Sequence, residues 1–377
     1  MLKIILTLLF ILLSSSPLIA QPSITSVSQD SASILTITGY LFGSKPISHP
    51  LVFDNFDKND SARSNGSQIP GKNCSHYGSW RNESYNYTPI YTNSGNRLGS
   101  TLCSYHYMVG VSGQNHAPLW NDFAQSNTPT VLVDFWTKFT YTTTSSFQFK
   151  YWRLTNALGD QDGNANFQDL WWNGRESGKK GYYEFFLSGG VNPKWPNYSI
   201  QQGYDDVTLD YNKGEDGAWH HYTVFIKQGS SGVADGKLTI FVDGTRIAHE
   251  TAMITWINGT EVKSLTLGWY LGNNSDGSST YGALYFDDIY VDYTWQSVWI
   301  GNASDWNSCT HREIQIPTAW SDNSITITGN QGSFATGSTV YLYVVDDKGN
   351  TNSQGYPVTI QKAVAPPSAP KGLRITN

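Results

Sequence analysis

The residues best suited to chemistry in this sequence begin with a short run at 147–153 (FQFKYWR) that mixes aromatic, amide and basic side chains. If this run is a strand, alternation places Gln148, Lys150 and Trp152 on one face and Arg153 on the other. Flat aromatic rings stack on sugars, while amide and charged groups bind the hydroxyls. A mixed face of this kind is therefore typical of a carbohydrate groove.

More aromatic and basic residues follow the run. The predicted glycan-binding residues are Gln148, Lys150, Trp152, Trp171, Trp172, Arg175 and Trp195. The alternative interpretation is that individual tryptophans fill the core or close loops, because large aromatic side chains are mostly buried. For the set as a whole, the sequence favours a glycan surface.

The same region allows a second chemistry, the β-elimination of a uronate polysaccharide. Such a reaction needs a cation to neutralise the carboxylate and a Tyr or His to move the proton. Lys150 or Arg153 could be the cation, and His220 with Tyr222 could move the proton from a shared strand face. Two observations count against this. That face continues through apolar Val224, and the two cations alternate to opposite faces.

Hydrolysis by two carboxylates is disfavoured. It requires a pair of carboxylates about 5–10 Å apart. The Glu-x-Asp-x-x-Glu arrangement typical of jelly-roll glucanases is absent, and the sequence contains only seven glutamates. Glu184 could point into a groove but has no obvious partner in the sequence.

The composition limits the class of protein. The 377 residues predict two or three domains, at roughly 100–200 residues each. Charged residues and aromatic residues each make up 14%, and Gly occurs 35 times, which favours strands and loops. The net charge is −6 and no long basic run occurs. Nucleic acids and acidic membrane surfaces are therefore not expected as partners.

Aromatic segments separated by turn residues run through the middle of the chain. They predict strands at 131–141, 147–153, 182–187, 219–227, 237–242, 264–271 and 284–293. The last of these is a long strand whose alternation places Leu284, Phe286, Asp288 and Tyr290 on one side. No segment keeps an apolar period of 3.6 residues over three turns, so the sequence predicts an all-β protein.

The two ends of the chain resemble parts of one family. Residues 22–47 resemble the opening of an IPT/TIG domain, a small immunoglobulin-like sandwich, through Leu35, Thr36, Ile37, Gly39, Phe42 and Gly43. Segments between 296 and 362 are similar to the remainder of that pattern. The resemblance implies one sandwich, formed by 22–47 and 296–362 and interrupted by 48–295. The alternative is an independent C-terminal sandwich preceded by a single strand.

A hairpin in the interrupting segment carries a second resemblance. Residues 217–224 and 236–244 (GAWHHYTV and GKLTIFVDG) are similar to the hairpin of laminin-G-like, concanavalin-A-like lectin and glucanase folds. This implies that 48–295 is a jelly-roll sandwich. The expected fold class is thus all-β, a concanavalin-A-like jelly roll plus a small immunoglobulin-like β-sandwich.

The jelly-roll resemblance also implies a place for calcium. The first and last strands of such modules often lie side by side and hold a structural Ca²⁺ through aspartates, which are hard oxygen ligands. Asp54 and Asp57 fall at the first strand, and Asp287 and Asp288 at the last. The alternative is that these aspartates form a solvated surface.

The N-terminal segment predicts export. Residues 1–20 combine Lys3, an apolar stretch and small residues before Ala20, as in a secretory signal, with a membrane anchor as the alternative. Export permits a disulfide, and Cys74 with Cys103 is the favoured pair. Residues 363–377 form a Pro-rich tail.

These observations predict a secreted or cell-surface protein that recognises extracellular polysaccharide, with structural Ca²⁺ and without a nucleic-acid partner. One alternative is a polysaccharide lyase. The other is a structural adhesion protein whose aromatic residues are core.

Overall fold

The computed structural model describes residues 20–29, 33–57, 63–81, 87–98, 102–110, 119–122, 130–141, 148–155, 167–173, 182–188, 198–199, 216–230, 233–253, 264–271 and 280–361. Over these residues the chain forms 22 strands and one short 3-10 helix, Trp306–Ser308. The prediction of an all-β protein is confirmed.

The strands follow the aromatic and β-branched runs of the sequence, as their β propensity favours. In chain order they are β1 (Ser23–Gln29), β2 (Ile34–Tyr40), β3 (Val52–Asp54), β4 (Ile90–Thr92), β5 (Cys103–Gly110), β6 (Leu119–Asp122), β7 (Thr130–Tyr141), β8 (Gln148–Thr155), β9 (Phe167–Asn173), β10 (Tyr182–Ser188), β11 (Tyr198–Ser199), β12 (Trp219–Lys227), β13 (Gly236–Val242), β14 (Thr245–Met253), β15 (Ser264–Leu271), β16 (Thr280–Asp292), β17 (Ser297–Gly301), β18 (Arg312–Ile314), β19 (Ile316–Trp320), β20 (Ser324–Thr328), β21 (Thr339–Val345) and β22 (Tyr356–Thr359).

Two antiparallel sheets form a large sandwich. An eight-stranded sheet has the order β14-β13-β12-β7-β16-β5-β4 with β3 beside β16, and a six-stranded sheet has the order β11-β10-β9-β8-β15-β6. Alternation sends Val133, Tyr222 and Leu284 of the first sheet into one core with Trp152 and Leu267 of the second. Burying each such side chain stabilises the fold by roughly 1.5–3 kcal/mol.

Strand β16 lies at the centre of the eight-stranded sheet and carries a β-bulge. Its pairing with β7 shifts between Asp287 and Tyr290, where Asp288 has a φ of 46°. Beyond the bulge Ile289 faces the core of the large sandwich, as Phe286 does before it. The prediction of uninterrupted alternation from 284 to 293 is wrong, because one extra residue moves Asp288 and Tyr290 off the face of Phe286.

The two ends of the chain pair with each other in a second, smaller sandwich. Its sheets have the orders β1-β2-β20-β19 and β18-β17-β21-β22. Leu35 of β2 lies opposite Ile327 of β20, and Ile37 packs in the same core as Val298 and Leu342. This is the pairing that one sandwich split between 22–47 and 296–362 requires. The domain boundaries themselves stay a prediction.

The second face of the eight-stranded sheet packs against the small sandwich. Leu132, Phe225 and Tyr290 belong to one buried cluster with Trp299 and Tyr343. The eight-stranded sheet is therefore covered on both faces. The six-stranded sheet has one face in the core of the large sandwich and a second face directed away from it.

The cysteines do not form the expected disulfide. Cys74, Cys103 and Cys309 are free thiols and buried. Burial raises the pKa of Cys74 well above its usual value and that of Cys103 to about 12. The Cys74–Cys103 prediction is wrong.

None of the helical structure in the described part of the chain is long and apolar enough to span a membrane.

Candidate functional site

A β-bulge in β8 brings two basic residues to the same face of the six-stranded sheet. Lys150 lies opposite Trp171 of β9 and Arg153 lies opposite Asp169, while Tyr151 is skipped in the register. Asp169 and Trp171 are two positions apart on β9, so they and their partners share one face. The prediction that Lys150 and Arg153 alternate to opposite faces is wrong, because the bulge absorbs one residue.

The face that carries these residues is directed away from the core, and we call it the outer face of the six-stranded sheet. Trp152 marks the opposite, core-facing side, where it is fully buried. Three cross-strand rows can be followed across β15, β8, β9 and β10. In turn they contain Tyr270, Lys150, Trp171 and Glu184; then Thr266, Arg153, Asp169 and Phe186; then Gln148, Asn173 and Tyr182.

Arg153 forms part of a buried floor on this face. Its side chain is 2% exposed and that of Thr266, its neighbour on β15, is 1% exposed. A guanidinium at this depth needs charged or polar partners, because an unpaired buried charge is strongly destabilising. Asp169 occupies the register position opposite Arg153 on β9.

The outer face therefore combines three kinds of group at neighbouring register positions. It has cations at Lys150 and Arg153, carboxylates at Asp169 and Glu184, and an aromatic ring at Trp171. Cations bind carboxylates through charge-assisted hydrogen bonds, carboxylates accept hydrogen bonds from hydroxyls, and flat rings stack on apolar surfaces. Groups of these kinds can bind the hydroxyls, apolar ring faces and acidic groups of a saccharide.

Several predicted glycan-binding residues lie elsewhere. Trp152 is in the core of the large sandwich, so its assignment to a sugar surface is wrong. Trp172 lies next to Trp171 on β9 and therefore on the core-facing side of that strand. Arg175 and Trp195 fall outside the described residues. Gln148, Lys150 and Trp171 are the predicted residues that the register brings together.

The predicted proton-moving pair is separate from the outer face. Tyr222 is fully buried and stacks on Phe135 in the core, with ring centroids 5.4 Å apart. His220 bonds to Asp216 and Asp243 at 2.9 and 2.8 Å. Burial opposes the charge on His220, but these two hydrogen bonds outweigh it and raise its pKa. Both residues belong to the eight-stranded sheet, so their pairing with Lys150 or Arg153 is wrong.

Comparison with known proteins finds similarity to solved structures at low sequence identity. No family model matches the sequence, and no curated protein matches it significantly. Among solved structures it is similar to an endo-β-1,4-glucuronan lyase from the fungus Trichoderma reesei, with 14% identity and a TM-score of 0.43 over 65% of this chain and 96% of that one.

Two further solved structures illustrate the range of this similarity. An alginate lyase from Aplysia kurodai shares 10% identity at a TM-score of 0.39, over 54% of this chain and 86% of that one. The binding domain of botulinum neurotoxin DC, in complex with rat synaptotagmin II, shares 11% identity at a TM-score of 0.37, over 81% and 72%. The chemistry of this chain therefore rests on its own residues.

Sequence reasoning did not assign Asp169, Tyr182 or Tyr270 of the outer face to the site, and it considered Glu184 only for hydrolysis. Their common signal is alternation within β9, β10 and β15, where polar or aromatic residues recur every second position. Only strand order could reveal that these positions join one surface.

Asp54 does not have a free carboxylate for calcium. Its Oδ1 accepts hydrogen bonds from Arg63 and from the backbone N–H groups of Phe56 and Ser75, and its Oδ2 accepts one from Trp80 at 2.7 Å. Asp54 is instead the centre of a buried network that fixes the loop after β3. Its assignment as a calcium ligand is wrong.

The other predicted calcium ligands are partly engaged by protein groups. Asp288 is paired with Arg97, and Asp57 accepts a hydrogen bond from the backbone N–H of Leu102. Asp287 interacts electrostatically with Asp57, and the rest of the six to eight oxygen ligands of Ca²⁺ would have to come from backbone carbonyls and water. Across the described ranges, no three His, Cys, Asp or Glu side chains gather in a metal-binding arrangement. A calcium site at Asp57 and Asp287 stays a prediction.

Asp288 belongs instead to a buried ionic network between the two sandwiches. Arg97 pairs with both Asp288 and Glu313, and its Nη1 lies 2.7 Å from Glu313 Oε1. The guanidinium lies over Trp136, 4.4 Å from the ring centroid, and the Trp136 indole N–H donates to Glu313. His311 approaches the same carboxylate at 3.1 Å.

Burial and charge set the protonation of this network. Burial raises the pKa of Asp288 to about 6 despite its pairing with Arg97. Burial also opposes the charge of Glu313, but hydrogen bonding from His311 and the charge of Arg97 bring its pKa down to about 2. Asp287, beside Asp288, has a pKa raised well above its usual value by burial and by that neighbour.

Replacing Asp288 with Asn should remove a pH-dependent loss of stability. A carboxyl whose pKa rises on folding contributes stability below its ordinary value of 3.8, and this is lost as the pH rises through about 6. A pKa that is higher by about two in the folded protein changes the free energy of unfolding by on the order of 3 kcal/mol. Asn tolerates the positive φ at this position. Urea unfolding between about pH 4 and 7 should show a flatter profile for Asp288→Asn than for the wild type.

The difference between the two proteins reports Asp288 together with its effect on Asp287, whose pKa the charge of Asp288 helps to raise. His221 has a pKa raised by Asp134, against the effect of burial, but it is present in both proteins and cancels. Parallel pH profiles for the two proteins would show that Asp288 does not retain its proton on folding.

Proposed function

We propose that this protein is secreted and binds an acidic, uronate-containing polysaccharide along the outer face of the six-stranded sheet. The observation that carries the proposal is the β8 bulge, which gives Lys150 and Arg153 the same face as Trp171 and Glu184. A uronate unit needs a cation for its carboxylate, a flat apolar surface for its ring and acceptors for its hydroxyls. The rows of the outer face supply these at neighbouring positions.

The strand spacing suits an extended polymer. Neighbouring strands lie about 4.8 Å apart, and the row of Lys150 continues to β15 on one side and to β10 on the other. A chain that crosses the strands would meet Tyr270, Lys150, Trp171 and Glu184 in that order. Gln148 and Asn173 in the adjoining row offer amide groups to the remaining hydroxyls.

Binding assays on a panel of uronate polymers test this proposal. Lys150→Ala should weaken binding of a polymer such as polygalacturonate by about 10- to 100-fold, the range for losing a charge-assisted contact. Trp171→Ala should also weaken it, because the ring that stacks on the sugar is removed. Lys72→Gln, a half-buried lysine in the 63–81 loop, is the control and should bind as the wild type does. Unchanged affinity in both alanine variants would contradict the proposal.

A second candidate function, β-elimination on the same face, is favoured by one observation. Tyr270 lies directly opposite Lys150 in the register, so a tyrosine and a lysine occupy paired positions. In this reaction the cation neutralises the uronate carboxylate and a base takes the proton from the adjacent carbon. The glycosidic oxygen then leaves with a proton, and a carbon–carbon double bond forms.

The unsaturated product absorbs ultraviolet light, which separates the two candidates. A rise in absorbance on a uronate polymer, lost in Tyr270→Phe while binding persists, would establish the lyase. Binding without any rise leaves the binding function. Neither binding nor product on any polymer would favour the structural adhesion alternative.

A further inference from the structure

A groove separate from the outer face lies where the eight-stranded sheet meets the small sandwich. One side is the β13–β14 hairpin, and the other is formed by the helix at Trp306 and the turn at 348–351. Its volume is about 470 Å³, within the roughly 300–1,000 Å³ of small-molecule sites. It opens on the side of the large sandwich opposite to the six-stranded sheet.

Aromatic rings line this groove, and a buried arginine fixes two of them. Phe241 and Trp306 are half-buried lining residues. The guanidinium of Arg312 lies 5.4 Å from the Phe241 ring centroid and 4.1 Å from that of Trp306. It also donates to the backbone carbonyl of Trp306 at 2.9 Å. The rings are therefore held in place before a ligand arrives, which lowers the entropy lost on binding.

Exposed cations surround the aromatic rings. Lys237, Arg246 and Lys348 line the groove and are exposed. The lining residues that the structure describes include no Asp or Glu. Asp346 is close in sequence, but its carboxylate accepts hydrogen bonds within its own turn, from Lys348 N and from Asn350. The groove is therefore positively charged.

Groups for hydrogen bonding complete the site. His249 bonds to Thr239 at 3.0 Å on the face of the hairpin that lines the groove, and Asn307 and Asn350 add amides on the opposite wall. An aromatic ligand alone would not need this polar set, and a simple anion would not need the rings. A saccharide with acidic groups matches both.

We infer that this groove is a second carbohydrate site, which binds a short acidic segment of a saccharide through the cations Lys237, Arg246 and Lys348 and the rings of Phe241 and Trp306. The choice of ligand class rests on the proposed function, whereas the location does not. Because the two sites lie on opposite sides of the large sandwich, one protein could join two polymer segments, and occupancy of both would raise the avidity.

Calorimetric titration with a short oligogalacturonate tests the inference. The wild type should bind two fragments per chain. Arg246→Gln with Lys348→Gln, both at exposed positions, should lose one of the two, with that site weakened at least about tenfold. Lys150→Ala with Trp171→Ala should lose the other, and Lys72→Gln should keep both.

The pattern of losses separates the inference from the proposed function. If binding is lost only in the variant that combines Arg246→Gln with Lys348→Gln, the groove is a saccharide site and the outer face is not. If the groove variant titrates as the wild type does, the inference is overturned whatever the outer face does. Equal binding of the carboxyl-reduced, neutral oligomer in the groove would also overturn it. A sulfated oligosaccharide that binds there more tightly than the uronate would support a cationic groove that binds acidic saccharides.

Discussion

Replacing Arg97 with Met should lower the free energy of unfolding by about 3–5 kcal/mol, the usual result of removing one partner from a buried ion pair. Arg97 is 4% exposed and pairs with Asp288 and Glu313, which are equally shielded from water. Without it two carboxylates remain buried with no guanidinium partner, and the ring of Trp136 loses the cation above it. Urea unfolding followed by tryptophan fluorescence measures the change.

The matched control is Arg246→Met. Arg246 is an exposed arginine, so its replacement should change the free energy of unfolding by less than about 0.5 kcal/mol. Neutralising both acids, with Asp288→Asn and Glu313→Gln in the Arg97→Met background, should restore part of the loss. A loss below about 1 kcal/mol in Arg97→Met would show that the network does not stabilise the junction of the two sandwiches.

Replacing Lys45 with Met should also destabilise the protein by about 3–5 kcal/mol. The side chains of Lys45 and Asp292 are both 0% exposed, and their charged atoms lie 2.6 Å apart. Tyr290 donates to the same carboxylate at 2.9 Å, and Lys45 also donates to the carbonyl of Gln296. This pair lies where the chain passes between the two sandwiches in both directions, and the same unfolding measurement applies.

A double-mutant cycle checks that the pair itself is responsible. Asp292→Asn alone should destabilise the protein, and the double variant Lys45→Met with Asp292→Asn should lose less than the sum of the two single losses. Additive losses would mean that Lys45 and Asp292 act independently. If Lys45→Met were as stable as the wild type, the buried ion pair between Lys45 and Asp292 would not stabilise the protein.

Much of the fold could be predicted from the sequence because alternation and β propensity are local. The strands at 219–227 and 264–271 have the predicted bounds, and the hairpin of β12 and β13 pairs as its motif implies. The bulges at Tyr151 and Asp288 could not be predicted. A bulge adds a single residue, and Tyr151 is a residue that strands favour, so nothing in the local pattern signals it.

The candidate site was only partly predictable for the same reason. The sequence identifies Lys150 as a candidate through its neighbours, but its relation to Arg153 depends on the bulge and its relation to Glu184 on strand order. The sequence also predicts that Tyr222 moves a proton, although Val224 on the same face indicates a core. The structure places both in the core.

The aspartates show what a sequence cannot reveal about charge. The sequence predicts Asp54 as a metal ligand because its carboxylate is visible in the sequence and its partners are not. Those partners, Arg63 and Trp80, come from a loop that folds back over β3. Whether a carboxylate is free depends on such tertiary contacts.

The most direct test of the central claim is a crystal structure of the protein with a bound oligogalacturonate. We predict saccharide on the outer face of the six-stranded sheet, crossing β8, β9 and β10, with a uronate carboxylate within hydrogen-bond distance of Lys150. A saturated complex with no saccharide on that face would contradict the account.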